Sequence, residues 1–173
     1  MRPSPDQDQR YLAATQTHGA ALQRLARATE AHAERRRDLL QDMHVALWRS
    51  FASFDGRCSE RTWVYRVAHN VAASHVDRER RARQPFVTLE EIEHMPSAEN
   101  ISAETEQSEA VDRLNAIIRK LGPPDRQIIT LYLEGLDAAS IAEITGLSAG
   151  AVATRVSRLK SQLARLFQET ANV

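Results

Sequence analysis

Residues 136–163 read LDAASIAEITGLSAGAVATRVSRLKSQL, and the punctuation of this stretch decides the fold. Asp137 stands ahead of a short run in which Ile141 and Ile144 recur at helical spacing, so its carboxylate is placed to cap a helix. Gly146 supplies a turn, and Leu147 is the apolar plug between two helices. Ser148 offers a second cap, followed by Val152, Val156 and Leu159 at intervals of three and four. Ala142 is small where the helices must cross closely. The pattern is a helix-turn-helix, whose second helix normally enters the major groove of DNA.

That second helix turns Ala149, Gly150, Ala153, Thr154, Ser157, Arg158 and Lys160 outward, with Arg155 beside them. From Ala149 to Arg165 there are four basic residues and no acid. Small residues at the start let the helix end approach phosphates, where free backbone N–H groups bind anions. The candidate duplex-reading set is therefore Ser148, Ala149, Ala153, Thr154, Arg155, Ser157, Arg158 and Lys160. A helical hairpin with a solvated basic face is the plainer alternative, but spacing, caps and charge agree on DNA.

Upstream, Val111, Leu114, Ile117, Ile118 and Leu121 keep helical spacing from about Ser108. In LGPPD, Gly122 suits the position after a helix and Pro124 the first turn of the next. Ile128, Ile129, Leu131, Tyr132 and Leu133 follow, before Gly135. Nearer the start, Leu12, Leu22, Leu25 and Ala26 are weakly periodic. Leu39, Leu40, Met43, Leu47 and Phe51 form a clear amphipathic stripe. Asp55-Gly56 marks a turn. Ser59 can cap a helix carrying Trp63, Val67, Val71 and Val76 on its apolar side, and that helix runs out before Pro85. No strand alternation appears. The expected fold is all-α: a helical domain over 1–83, an acidic linker over 84–107, and a domain over 108–173 containing the helix-turn-helix.

The 173 residues carry a formal net charge of zero, which hides a strong asymmetry. Residues 1–83 hold fifteen Lys/Arg against ten Asp/Glu, residues 84–118 hold one against eight, and residues 119–173 hold seven against five. Two basic blocks thus flank an acidic connector. No stretch has the apolar length of a membrane span, and MRPSPDQDQR lacks the apolar core of a signal peptide. Cys58 is alone, which excludes an internal disulfide or multi-cysteine zinc site; it reads as an ordinary thiol. These absences lead us to expect a cytoplasmic protein. No nucleophile–base pair, phosphate loop or metal-spaced cluster appears, so neither an enzyme nor a cofactor is expected.

Residues 54–70, FDGRCSERTWVYRVAHN, gather Phe54, Trp63 and Tyr65 among Arg57, Arg61, Arg66, His69 and Asn70. Rings and cations together suit a surface that grips nucleic acid. The longer stretch RDLLQDMHVALWRSFASFDGRCSERTWVYRVAHNVAASHV resembles region two of bacterial sigma factors of the extracytoplasmic-function group. LGPPDRQIITLYLEGLDAASIAEITGLSAGAVATRVSRLKSQL resembles region four of the same group. The resemblance covers about Leu22–Arg83 and about Leu114–Leu166.

It implies a transcription initiation factor that joins core RNA polymerase, recognises the minus-thirty-five element through region four and melts the minus-ten element through region two. Docking falls to the helix bearing Asp38, Gln41, Asp42, Val45 and Arg49, against the clamp of the largest polymerase subunit, with region four reaching the flap of the second largest. The pocket for an unstacked base falls to Asp55, Gly56, Arg57, Cys58 and Ser59, with Arg61, Arg66, His69, Asn70, Ser74 and Arg78 tracking the non-template strand. Trp63 is read as core by its spacing, and His44 and His75 as ordinary helix-surface residues. The acidic linker would thread toward the polymerase channels, with an ordinary solvated tether as the plainer alternative. Control from outside the chain, by an anti-sigma factor or another regulator, is expected.

Two departures stand out. Arg35, Arg36 and Arg37 occupy a place where the family usually carries acids, and are read as a solvated helix end. Ala153 and Ser157 replace larger or basic residues on the recognition helix, which puts the promoter sequence in question. The alternative function is a stand-alone helix-turn-helix regulator that does not join polymerase.

Overall fold

A computed structural model describes residues 5–83 and 106–171, all of whose regular structure is helical. The linker over 84–107 lies almost wholly outside the described residues. Helix α1 spans Pro5–Thr29, α2 Ala33–Ser50 and α3 Glu60–Arg83, with a single 3₁₀ turn at Phe51–Ser53. After the linker come α4 (Glu106–Lys120), α5 (Asp125–Leu133), α6 (Ala138–Thr145) and α7 (Ala149–Ala171).

The first three helices close on one core. Leu22, Leu25 and Ala26 of α1 meet Leu39, Met43 and Leu47 of α2 and Val64, Ala68 and Ala72 of α3, with Phe51 beneath the turn. The α2 stripe is thus buried as its periodicity predicts. The α3 stripe is displaced by one residue from its expected register. Val64, Ala68 and Ala72 are buried, whereas Trp63, Val67 and Val71 lie half-buried at the edge. The reason is that α3 packs against two neighbours: one flank meets α1 and α2, and the other meets the second domain. Tyr65 and His69, buried on that other flank, have no place in a one-sided stripe.

Three caps form where the sequence places them. Ser59 Oγ accepts from Thr62 N at 3.0 Å at the head of α3. Asp137 Oδ1 accepts from Ser140 N at 2.8 Å, and Ser148 Oγ accepts from Ala151 N at 3.2 Å. Gly146 ends α6 at φ 77°, a left-handed conformation that explains why glycine stands there. Gly122, by contrast, is not left-handed: positive φ occurs among the described residues at Gly56, Gly135 and Gly146. The end of α4 is instead held by Arg126, whose guanidinium donates to the carbonyls of Arg119 and Leu121. Pro124 is the N-cap of α5 rather than part of its first turn.

The helix-turn-helix core consists of Ile128, Ile129, Leu131, Leu136, Ile141, Ile144, Val152, Leu159 and Leu163. This core is not separate from the first domain. Ala21 and Ala28 of α1 and Tyr65 of α3 belong to the same buried cluster. The two domains expected from the sequence are therefore packed on one another.

Candidate nucleic-acid and polymerase interfaces

The outward face of α2 is a clean solvent stripe. Asp38, Gln41, Asp42, Val45 and Arg49 are all exposed and succeed one another at helical spacing, while Leu39, Met43 and Leu47 point the other way. Val45, 41% exposed, puts an unburied branched side chain at the centre of this stripe. Trp48 on the flank is occupied by α1: its Nε1 donates to Asp8 at 2.8 Å, and its carbonyl accepts from Gln7. His44 is also engaged, 3.0 Å from the Tyr11 hydroxyl and half-buried, and burial lowers its pKa. It is not the ordinary surface histidine the sequence suggests.

His75 corrects the same expectation more strongly. It is buried, with Nε2 at 3.0 Å from Glu30. Arg35 approaches Glu30 at 3.6 Å and pairs with Glu79 at 2.9 Å. Burial would raise the Glu30 pKa, but the His32 N–H, His75 and Arg35 together hold it below the usual range. The arginine triplet is thus not uniformly a solvated helix end. Arg35 is part of a polar staple between α1, α2 and α3, Arg36 reaches the carbonyl of Ala31, and Arg37 alone of the three is exposed.

The loop at 54–59 is ordered by its own residues. Asp55 accepts from the Arg57 backbone N–H at 3.1 Å and pairs with the Arg57 guanidinium at 2.6 Å, while Gly56 takes φ 76°. Asp55, Gly56, Arg57 and Ser59 are exposed and Cys58 is half-buried. Phe54 packs on Trp63 with ring centroids 5.2 Å apart, and Trp63 Nε1 donates to Ser50 Oγ at 2.9 Å. Trp63 therefore supports the loop from the core side. Arg10 of α1, not singled out from the sequence, lies over the Phe54 ring at 5.8 Å.

Along α3 the predicted strand-tracking residues divide into two groups. Asn70, Ser74 and Arg78 are exposed, with Arg78 3.3 Å from Asp42 of the α2 stripe. Arg61, Arg66 and His69 are drawn into contact with the second domain. Arg61 Nη2 donates to the Glu134 carbonyl at 3.1 Å, and Arg66 Nη2 to the Glu143 carbonyl at 2.9 Å. His69 is only 4% exposed, and this burial pushes its pKa down to about 4 against a smaller opposing pull from Glu134. In this arrangement His69 cannot meet a DNA strand.

Glu134, at the end of α5, is the centre of the domain contact. It accepts two hydrogen bonds from Arg24 of α1, at 2.6 and 2.7 Å, and a longer one from the Tyr65 hydroxyl at 3.4 Å. Arg119 donates to the Arg27 carbonyl at 2.8 Å, adding a second tie. Between these ties lies a cavity of about 250 Å³, bordered by His18, Tyr65, His69, Leu114, Ile118 and Glu134. A partly open cleft of that size means the two domains meet without full interdigitation. Nothing in the sequence marks Glu134: a glutamate at a helix end beside Gly135 reads as a solvated terminus.

On α7, Ala149, Gly150, Ala153, Thr154, Ser157 and Arg158 are exposed as predicted, over a buried Val152 and Leu159. Lys160 leans on the Tyr132 ring at 5.5 Å, and Thr154 Oγ1 donates to the Gly150 carbonyl. Arg155 and Arg158 both bond to Asp125, a partner the sequence did not disclose. Among the described residues no group of three or more His, Cys, Asp or Glu could hold a metal ion, and no helix is long and apolar enough to cross a membrane.

An all-helical chain with an exposed α2 stripe, an aromatic–basic loop and a helix-turn-helix is built as a two-region DNA-binding transcription protein. Residues 15–82 match the family model for sigma-70 region 2, and residues 112–163 match that for sigma-70, region 4. The ECF RNA polymerase sigma factor SigM of Mycobacterium tuberculosis is 31% identical over 151 residues, covering 87% of this chain and 73% of its own. The RNA polymerase sigma factor NccH of Alcaligenes xylosoxydans is 28% identical over 159 residues, covering 90% and 85%. Among solved structures, CnrH in complex with the cytosolic domain of CnrY aligns at a TM-score of 0.65 and 23% identity, over 92% of this chain and 88% of that one. RpoE in complex with the anti-sigma factor NepR from Bartonella quintana aligns at 0.67 and 21%, over 95% and 98%. The chain belongs to the extracytoplasmic-function RNA polymerase sigma factors, a family of transcription initiation factors that are not themselves catalysts.

Proposed function

We propose that this sigma factor directs core RNA polymerase to its promoters with three separate surfaces, acting in the cytoplasm. The α2 stripe of Asp38, Gln41, Asp42, Val45 and Arg49 docks on the clamp of the largest subunit. The loop at Asp55–Ser59, with Arg61, Arg66, Asn70, Ser74 and Arg78, receives and tracks the separated minus-ten strand. The exposed face of α7 reads the minus-thirty-five duplex, with the second domain resting on the flap of the second-largest subunit. The observation that carries this reading is the exposed face of α7. It is small and uncharged at its N-terminal end, basic further on, and held rigidly over a buried core.

The domain contact adds a step. Arg61 and Arg66 each spend a guanidinium donor on a carbonyl of the second domain, so giving both side chains wholly to a DNA strand calls for the domains to separate on joining polymerase. The cavity at their interface makes that separation cheaper than opening a close-packed core. An anti-sigma protein, of the kind seen with CnrH and RpoE, would act here by holding the domains away from polymerase.

Co-elution of the purified chain with core polymerase tests the docking claim. Permanganate footprinting of the resulting holoenzyme tests strand opening. Arg57→Ala and Asn70→Ala are expected to keep co-elution and lose the bubble, and a pre-melted template should restore transcription because unpairing is then already done. A chain that binds duplex tightly alone and never co-elutes with polymerase is instead a stand-alone regulator.

A further inference from the structure

Asp125 opens α5 and lies against the second helix of the helix-turn-helix. Its Oδ1 accepts from Arg155 Nη1 at 2.7 Å, and its Oδ2 from Arg158 Nη2 at 2.8 Å. The two arginines stand three residues apart on α7, so a single carboxylate spans both guanidinium groups. Asp125 is 25% exposed at its side chain, against 36% for Arg155 and 60% for Arg158. The carboxylate is thus tucked behind the arginines, while Arg158 keeps much of its surface open on the side of α7 that faces away from the core.

This geometry has two consequences for a guanidinium that must recognise DNA. A planar fork reads a base edge only when it is held in the right plane, and a free arginine loses considerable rotamer freedom in being so held. Anchoring one Nη on Asp125 fixes the orientation of Arg158 in advance and leaves its other donors available. The same carboxylate also offsets part of the positive charge of the pair. A phosphate approaching Arg155 or Arg158 meets Asp125 close behind, which weakens attraction that carries no sequence information.

We propose that Asp125 is a specificity-determining positioning residue of the duplex contact: it aims Arg158 at a base edge and withholds both arginines from indiscriminate phosphate binding. This rests on the reading of α7 as the duplex-reading helix.

The test compares holoenzymes carrying wild-type sigma, Asp125→Asn, Asp125→Glu and Arg158→Ala, on a cognate promoter duplex and on a duplex of the same length with a scrambled minus-thirty-five element. Asp125→Asn should raise affinity for the scrambled duplex and lower the cognate-to-scrambled ratio by about tenfold, the scale of one base-edge contact. Its binding should also fall more steeply with salt, by about one further released counterion. Asp125→Glu, which keeps the charge, should stay near wild type. If Asp125→Asn melts early, Asp125→Ser, which retains a short polar group at the helix start, supplies the comparison. An unchanged ratio and salt slope for Asp125→Asn, with Arg158→Ala still altering base preference, overturns the proposal and leaves α7 as the reading helix. An equal loss of affinity on both duplexes also overturns it, since that marks a structural role only. No change with either Asp125→Asn or Arg158→Ala removes the α7 reading itself.

Discussion

Glu134→Ala should loosen the domain contact with little damage to either domain. The substitution removes the acceptor of two Arg24 bonds at 2.6 and 2.7 Å and of the Tyr65 hydroxyl at 3.4 Å. Its own carbonyl, which holds Arg61, stays. Arg24 is 60% exposed at its side chain, so water takes up most of what the carboxylate gave it. Discounted in this way, the bidentate pair and the weak tyrosine bond together contribute about 1–2 kcal/mol. The separated form should then gain roughly 5–30-fold in population. While that form is the minor one, apparent affinity for a single-stranded minus-ten oligonucleotide rises by up to the same factor, because separation frees the donors that Arg61 and Arg66 give to the second domain. Fluorescence anisotropy with the isolated chain measures this, and small-angle scattering follows the accompanying expansion. Glu134→Gln, which can still accept hydrogen bonds, should fall between wild type and alanine. Wild-type affinity together with an unchanged radius of gyration in Glu134→Ala would refute the idea that this carboxylate holds the domains closed.

Further outcomes follow from other parts of the structure. His69 titrates at about 4 when buried and returns toward 6.5 when exposed, so the separated form binds the extra proton. Domain closure should be strongest above pH 6.5 and weaken toward pH 4, by about 1.4 kcal/mol per unit; scattering against pH should show this, and an identical profile in His69→Gln would exclude His69 as the cause. Gly146→Ala places a side chain at φ 77° in otherwise open space, so backbone strain alone should cost about 1–2 kcal/mol in denaturant melts; a variant as stable as wild type would mean the turn relaxes. Arg35→Asp puts a third carboxylate beside Glu30 and Glu79 and should destabilise by about 1–2 kcal/mol, whereas Arg37→Glu, at an exposed position, should change stability very little.

Local signals in the sequence determined the helices, their caps and the class of protein. Asp137, Gly146 and Ser148 act on groups within three or four residues of themselves, so their roles are written in adjacent letters. The α2 stripe could be read because one face of that helix meets one core. The register of α3 could not, because α3 is covered from two sides and a one-sided periodicity describes neither. For the same reason Tyr65 and His69, apparent members of an aromatic–basic DNA surface, turn out to be buried against the second domain. His75 found its partner Glu30 and Arg35 its partner Glu79 across the first domain, as Arg155 and Arg158 found Asp125 across the second. Arg24 and Glu134, which fasten the domains, are 110 positions apart. A charge pair at that distance leaves no periodicity and no spacing rule, since each member alone is indistinguishable from a solvated residue at a helix surface. Only the packing of α1 and α3 against α4–α6 brings Arg24 and Glu134 together, and it also decides that Arg61 and Arg66, the arginines proposed to track DNA, begin in contact with their own chain.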